Sequence, residues 1–113
     1  MGGTPGQQNS ADQIPVTNDV IVLDLSSDPF TEQLRIACRL PFVPALLSVA
    51  VYDAEGNFVI RLRDWEQAAL EATVEWDGRK KDGQPSSPGL YVLSARASAD
   101  GRIVHGKAAV VRQ

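Results

Sequence analysis

The side chains that most often act as nucleophiles, bases or metal ligands are scarce in this sequence. It contains one histidine, His105, and one cysteine, Cys38. A single histidine cannot build a multi-histidine metal site, and a single cysteine forms neither an intrachain disulfide nor a cysteine-based metal site. No serine or cysteine lies in a local pattern that would assign it to His105 as a nucleophile. We therefore interpret His105 as a structural or exposed residue.

Carboxylates are more numerous, 14 in all, but they fall at alternate strand positions and in turns, where solubility explains them. Asp77-Gly78 and Asp82-Gly83 could suggest calcium. The EF-hand spacing is absent, however, and the intervening Arg79-Lys80-Lys81 would repel a divalent cation. The sequence also lacks the glycine-rich phosphate loops and the nucleophile-elbow pattern. We predict a protein that is not an enzyme and has no metal or cofactor.

Composition limits the remaining classes. The formal net charge is −3, and the 11 basic residues are scattered along the chain, which argues against a nucleic-acid partner. No apolar run approaches the ~20 residues of a membrane helix, so we predict no membrane span. Residues 1–19 are rich in Gly, Pro, Asn and Gln and are predicted to be a flexible linker. Residues 20–113 are long enough for one domain with its own core.

The pattern from residue 20 onward is that of short strands separated by turn signals. Strands are predicted near residues 20–25, 33–40, 46–52, 58–63, 70–76, 90–97 and 102–111. Asp53–Asn57 and Asp100-Gly101 are predicted hairpin turns, whereas residues 64–69 have some helical propensity and are predicted to form a turn between strands. No convincing helix is present. The chain is therefore predicted to be all-β: an immunoglobulin-like antiparallel β-sandwich of about seven strands.

Strand alternation also predicts which residues are buried. Leu34, Ile36, Cys38 and Leu40 share one face, so Cys38 is interpreted as a small buried hydrophobic residue. By the same alternation, two further sets are predicted to point inward: Phe58, Ile60 and Leu62 in one strand, and Leu70, Ala72, Val74 and Trp76 in another.

Trp65 is less determined than Trp76, because it lies between predicted strands. It could cap one end of the sandwich or serve as an exposed platform for sugar stacking. We favour the cap, since a lone aromatic residue without polar partners is thin evidence for carbohydrate binding.

Several segments resemble a known family. The hairpin segment from Leu47 to Val59 contains Val51-Tyr52-Asp53 followed by Gly56, and it resembles a V-x-I-Y-D-x-x-G pattern. The segments Trp76-Asp77-Gly78-Arg79, Asp82-Gly83 and Pro88-Gly89-Leu90-Tyr91 resemble W-D-G-x-x-x-x-G and G-x-Y, and Asp28-Pro29-Phe30 resembles an opening N-P-F. In this order they are similar to the FlgD-type immunoglobulin-like domain, named after the flagellar hook-capping protein. The similarity covers about residues 20–112.

The resemblance implies fold-making roles rather than catalytic ones for the motif residues. In such a domain the tyrosines supply large rings whose hydroxyls can tie loop backbone, the glycines permit a tight loop, and the tryptophan fills the core beneath it. These residues are Tyr52, Gly56, Trp76, Asp77, Gly78, Gly83, Gly89 and Tyr91. The chain departs from the family where Asp28 replaces the frequent Asn and where Ala68-Ala69 replaces an Ala-Gly turn.

Two further resemblances concern the context of the domain. The final strand, with Lys107 and Val110-Val111, is similar to that of C-terminal sorting domains of the type IX secretion system. Gly2–Ser10 is similar to the tail of bacterial lamin-tail domains. They imply a C-terminal module of a larger exported bacterial protein, secreted or at the cell surface, with a structural, anchoring or sorting role. Its partners would be other domains of the parent chain and secretion or cell-surface components. The alternatives are an assembly scaffold like the hook cap and a carbohydrate or surface adhesion module.

Overall fold

The computed structural model describes residues 20–113, which form seven strands and no helix. The strands are β1 (Val22–Leu25), β2 (Leu34–Arg39), β3 (Ala45–Asp53), β4 (Phe58–Ala68), β5 (Glu71–Trp76), β6 (Gly89–Ala99) and β7 (Arg102–Arg112). They build a three-stranded sheet in the order β1-β2-β5 and a four-stranded sheet in the order β4-β3-β6-β7, with every pairing antiparallel. The predicted immunoglobulin-like sandwich is confirmed. The predicted linker, residues 1–19, lies outside the described residues.

The two sheets enclose one apolar core. Alternate residues of the long strands point into it, as the period-two pattern predicts. Its fully buried side chains include Leu34, Ile36, Cys38, Leu47, Val49, Val51, Val74, Trp76, Leu93 and Val110. Burying one large aliphatic side chain of this kind stabilises a fold by about 1.5–3 kcal/mol, so this layer holds the sheets together without a disulfide.

The turns of the two predicted hairpins form as expected. Gly56 adopts a φ of 91°, and the Asp53 N–H donates to the Asn57 carbonyl at 2.9 Å. Asp100 and Gly101 have φ values of 52° and 79°, and positive φ at both central residues is the signature of a type I′ turn.

The predicted orientation of Phe58 is wrong. Phe58 is 40% exposed, whereas Val59 is buried, and Ile60 and Leu62 are only partly buried against the core. The cause is a register shift: Val51 pairs with Ile60 but Tyr52 pairs with Phe58, which leaves Val59 as an extra residue. Such a bulge changes the face on which the following side chain lies.

The predicted turn at residues 64–69 is also wrong, because β4 continues as a strand to Ala68. Leu47 pairs with Glu66 and Val49 with Arg63, so two residues of β4, Asp64 and Trp65, lie opposite the single residue Ser48. This bulge interrupts the alternation that identifies a strand in a sequence.

Leu70 is not in the core, contrary to the predicted alternation. It is 52% exposed and precedes β5, in the short connection from β4. Its carbonyl accepts a hydrogen bond from the Leu40 N–H at 2.8 Å. The backbone of Leu70 therefore links the end of β2 to the start of β5, while its side chain faces solvent.

The segment before β2 crosses the edge of β7 twice. The Ile21 N–H donates to the His105 carbonyl at 3.0 Å, and Phe30 exchanges hydrogen bonds with Val111 and Gln113 at 3.0 and 2.9 Å. Asp28 Oδ1 also accepts from the Val111 N–H at 3.0 Å. These contacts join the three-stranded sheet to the edge of the four-stranded one.

Because residues 20–113 contain no helix, they provide no helical membrane span.

Candidate functional site

Trp76 is the centre of an aromatic cluster at one end of the sandwich. Its indole is 1% exposed and lies 5.3 Å, centroid to centroid, from the rings of both Phe30 and Tyr91. The tilted and edge-on geometries are those in which aromatic pairs attract each other beyond simple burial. The cluster unites the segment before β2, the end of β5 and the start of β6.

The loop of residues 77–88 is tied to this cluster by hydrogen bonds. The Trp76 indole N–H donates to the Arg79 carbonyl at 2.9 Å, and the Tyr91 hydroxyl donates to the Ser87 carbonyl at 2.6 Å. Within the loop, the Gly78 carbonyl accepts from both the N–H and the hydroxyl of Ser86. The two aromatic side chains therefore fix both ends of the loop while burying their rings.

Asp77, Gly78 and Gly83 lie in this loop, and Gly89 is the first residue of β6 directly after it. Asp77 Oδ1 accepts from the Arg79 N–H at 3.1 Å, and Gly78, Gly83 and Gly89 all have positive φ. Gly83 lies at a turn in which its N–H donates to the Lys80 carbonyl at 2.9 Å. All of the motif's polar contacts here are made within the fold.

The β3–β4 hairpin holds its own loop through Asp53. The Asp53 carboxylate accepts from the backbone N–H groups of Asn57 and Glu55 at 2.8 and 2.9 Å. These hydrogen bonds, that from Asn57 first, lower the pKa of the exposed Asp53 carboxyl below its usual value. Tyr52, the residue before Asp53, places its half-buried ring edge-on to Phe58 at a centroid distance of 5.9 Å.

Arg112, which sequence reasoning missed, joins the last strand to the loop. Its Nη1 donates to the Ser86 carbonyl at 2.8 Å, and its Nε is buried against Gly78 with no hydrogen-bond partner in the described part of the chain. Nothing in the local sequence around Arg112 signals this contact, which exists only because the loop of residues 77–88 lies against β7.

Cys38 and His105, the two side chains considered first as reactive groups, do not form a site together. Cys38 is fully buried in β2, and burial raises the pKa of its thiol to about 11, an effect that the Arg63 cation partly opposes. A thiol that stays protonated is a poor nucleophile. His105 is exposed on β7, paired with Arg96 of β6. Residues 20–113 contain no group of three His, Cys, Asp or Glu side chains that could hold a metal.

The outward face of the three-stranded sheet balances its own charges. Arg35 and Glu75 are cross-strand partners with an Nε–Oε2 distance of 3.3 Å. Arg39 pairs in the same way with Glu71, Nη2 to Oε2 at 3.2 Å. Such exposed pairs contribute about 0–1 kcal/mol each, and they leave little unbalanced charge.

The outward face of the four-stranded sheet is different. Its cross-strand rows place Arg61 with Ala50, Ser94 and Lys107, and Ser48 with Arg96 and His105. The paired outward positions of this sheet carry no carboxylate. We call Arg61, Arg96, His105 and Lys107 the basic face. Sequence reasoning missed it because these residues are scattered along the chain and meet only across three strands.

Trp65 lies on this basic face and does not cap an end of the sandwich. Its bulge gives it a φ of 53°, unusual for a residue other than glycine, and the Arg96 guanidinium carbon lies 5.3 Å from its ring centroid. The half-buried indole therefore packs beneath a cation.

Comparison with known proteins agrees with this architecture. The sequence model described as the FlgD Ig-like domain matches residues 30–101. This range contains the Trp76 cluster, the β3–β4 hairpin and the loop of residues 77–88. No curated protein sequence matches the chain.

Solved structures share the fold. FlgD from P. aeruginosa superposes with a TM-score of 0.60 at 26% identity, covering 79% of this chain and 72% of that one. PorZ of Porphyromonas gingivalis, a surface component of the type IX secretion system, gives 0.55 at 16% identity over 80% of this chain but 11% of its own. CopC from Methylosinus trichosporium OB3b gives 0.51 at 21% identity, covering 83% of this chain and 92% of that one. The last two likenesses show the fold alone.

Proposed function

The chain belongs to the FlgD Ig-like domain family, and from this premise we propose that it is a non-catalytic structural module of a larger exported bacterial protein. Its role there is to anchor, sort or space the rest of that protein. The observation that carries the proposal is the use made of the motif residues: the polar atoms of Trp76, Asp77 and Tyr91 all bind loop backbone. Polar groups that make these hydrogen bonds within the domain stabilise its fold and are not free to act on a substrate.

Within this proposal the motif residues serve to make the fold. Tyr52 and Gly56 shape the β3–β4 hairpin, and Gly78, Gly83 and Gly89 supply positive φ values in and next to the loop of residues 77–88. Contacts with other domains of the parent chain, or with secretion and cell-surface components, then fall to the outward faces. Exposed residues of such a domain can vary with the partner while the fold is kept.

The extracytoplasmic location is supported by the structural relatives. PorZ is described as an essential bacterial surface component of the type IX secretion system, and it carries this fold in 11% of its chain. A fold stabilised by its core alone, with its one cysteine buried, does not depend on the redox state of its compartment.

The experiment is performed in the organism that encodes the chain. An antibody raised against residues 20–113 should detect a product longer than 113 residues in the periplasmic, surface or secreted fraction. Deleting the codons for residues 20–113 should change the location or retention of that product. A cytosolic product, or one no longer than this chain, overturns the proposal.

An assembly scaffold is the second candidate, favoured by the match to FlgD, which extends over 72% of that chain. A module that assembles around a filament associates with copies of itself. Sedimentation velocity over a concentration series separates the two: reversible oligomers support the scaffold, and a monomer at every concentration supports the anchoring or sorting module.

A further inference from the structure

The outward faces of the two sheets differ in whether their cationic side chains have ion-pair partners. On the three-stranded sheet each arginine, Arg35 and Arg39, has a glutamate as its cross-strand partner. On the four-stranded sheet, Arg61, Arg96 and Lys107 take part in no ion pair found among residues 20–113. The chain as a whole carries −3, so these three cations are concentrated against the overall charge. Unpaired like charges on one face repel each other and attract an anionic partner.

Two of these cations are held in place before any partner arrives. Arg61 Nη1 donates to the Ser48 hydroxyl at 2.7 Å, and its guanidinium carbon lies 5.7 Å from the Phe58 ring centroid. Arg96 lies over the half-buried ring of Trp65, with its guanidinium carbon 5.3 Å from the ring centroid. Side chains that are already ordered lose less conformational entropy when they bind, so the face is preorganised.

A shallow concavity adjoins the cations. It has a volume of about 510 Å³, and its lining includes Tyr52, Ser94, Arg96, His105 and Lys107. Asp53 also lines it, and the Asp53 carboxylate there accepts hydrogen bonds from the N–H groups of Glu55 and Asn57. An aromatic ring, a hydroxyl, an imidazole and two cations together offer a stacking surface, donors and acceptors for hydroxyl groups, and charge for a carboxylate. A uronic acid, a sugar ring that carries a carboxylate, presents all three matching features.

A peptide fits this face less well. The strands β3 and β6 each pair with a neighbour on both sides, so a peptide that added a strand to this sheet would do so at the outer edge of β4, away from Arg96 on β6 and Lys107 on β7. The spacing of the cations fits a polymer instead. Arg61 and Lys107 lie in one cross-strand row on the outermost strands of the sheet, about 14 Å apart at the usual strand spacing. A chain of charged sugars laid across the strands can reach both.

We propose that the basic face binds an acidic polysaccharide, with uronate carboxylates on Arg96 and Lys107 and a sugar ring in the adjoining concavity. This function goes beyond that of a structural module, because it assigns a ligand to the outward face of the four-stranded sheet. Of the motif residues, Tyr52 and Gly56 line the adjoining concavity. A failure of this proposal would leave the anchoring or sorting role untouched.

The test is calorimetric titration of the full chain with polygalacturonate oligomers at low ionic strength. We expect saturable binding that weakens as salt is added, and none with neutral dextran oligomers. The double variant Arg96→Gln/Lys107→Gln should lose about tenfold or more in affinity. The matched control, Arg35→Gln/Arg39→Gln, removes the same charge from the other sheet and should change the affinity less than about twofold.

Three results would overturn the proposal. The first is no saturable binding by the unaltered chain, and the second is an equal loss in both double variants, which would indicate net charge alone. The third is tighter binding of poly-glutamate than of polygalacturonate, which would identify the face as a site for an acidic peptide. Urea unfolding of each variant checks that the fold is retained. If loss of the Arg96–Trp65 contact destabilises the double variant, the single variant Lys107→Gln, at an exposed position, still tests the proposal.

Discussion

The Arg112 side chain lies against Gly78, in the space that a Cβ at position 78 would need. A Cβ added at Gly78 would lie 2.6 Å from Arg112 Nε, and Gly78 has a φ of 79°. Arg112 Nη1 in turn donates to the Ser86 carbonyl, and the Ser86 hydroxyl donates to the Gly78 carbonyl. The Arg112 side chain therefore joins β7 to the loop of residues 77–88 where that side chain lies against Gly78.

Gly78→Ala is therefore expected to destabilise the chain by about 2–4 kcal/mol, since it adds a steric clash to the cost of a left-handed conformation. Gly83→Ala is the matched control. Gly83 has a φ of 87°, but a Cβ there meets nothing within 4 Å, so only the conformational cost of about 1–2 kcal/mol should appear. Urea unfolding measures both. Equal losses would show that Arg112 does not constrain position 78.

Tyr91→Phe should cost about 0.5–1.5 kcal/mol, because it removes the hydroxyl that donates to the Ser87 carbonyl at 2.6 Å but keeps the ring beside Trp76. Hydrogen exchange should also show faster opening of residues 84–88. Tyr52→Phe keeps the edge contact with Phe58 and is the control, with an expected change within about 0.5 kcal/mol. A larger effect at Tyr52 than at Tyr91 would contradict this assignment.

Most of the fold could be predicted because the buried strands alternate cleanly. In β2 and β5, Leu34, Ile36 and Val74 follow the period of two and are all buried. Prediction failed in β4, where three register shifts relative to β3 place extra residues in the strand. A bulge is stabilised by the partner strand and by what covers it, as Arg96 covers Trp65, so the local sequence carries little sign of it.

The candidate surface was harder to predict than the fold. Arg61 precedes Arg96 by 35 positions and Arg96 precedes Lys107 by 11, and each alone reads as an ordinary outward residue. Their common face depends on the pairing order β4-β3-β6-β7, which includes non-consecutive neighbours. Sheet order is a long-range property, set by packing of the whole core rather than by any one segment.

Gly106→Ala is expected to release the segment before β1 from the edge of β7. A Cβ at position 106 would collide with the Ile21 carbonyl and lie 2.8 Å from Ile21 Cβ. We expect a loss of about 1–3 kcal/mol. The amide of Ile21, which donates to the His105 carbonyl, should exchange faster than in the unaltered chain, while amides of β3 and β6 keep their protection. Unchanged exchange at Ile21 would contradict the predicted release.

The thiol of Cys38 should make stability depend on pH in the alkaline range. Burial raises its pKa from 9.0 to about 11, so the unfolded chain loses this proton at a lower pH than the folded one. The thiol's contribution is complete below pH 9 and is lost as the pH rises through 11. By the conversion of 1.36 kcal/mol per pKa unit, this contribution amounts to roughly 2–3 kcal/mol.

Cys38→Ala removes this pH dependence, although it lowers stability near neutral pH by leaving a small cavity. The two chains share every other titratable group, so the difference between their urea-unfolding curves at pH 8 and pH 11 isolates the thiol. A constant difference, or rapid labelling of Cys38 by a thiol reagent without denaturant, would show that the thiol is accessible and its pKa near the ordinary value.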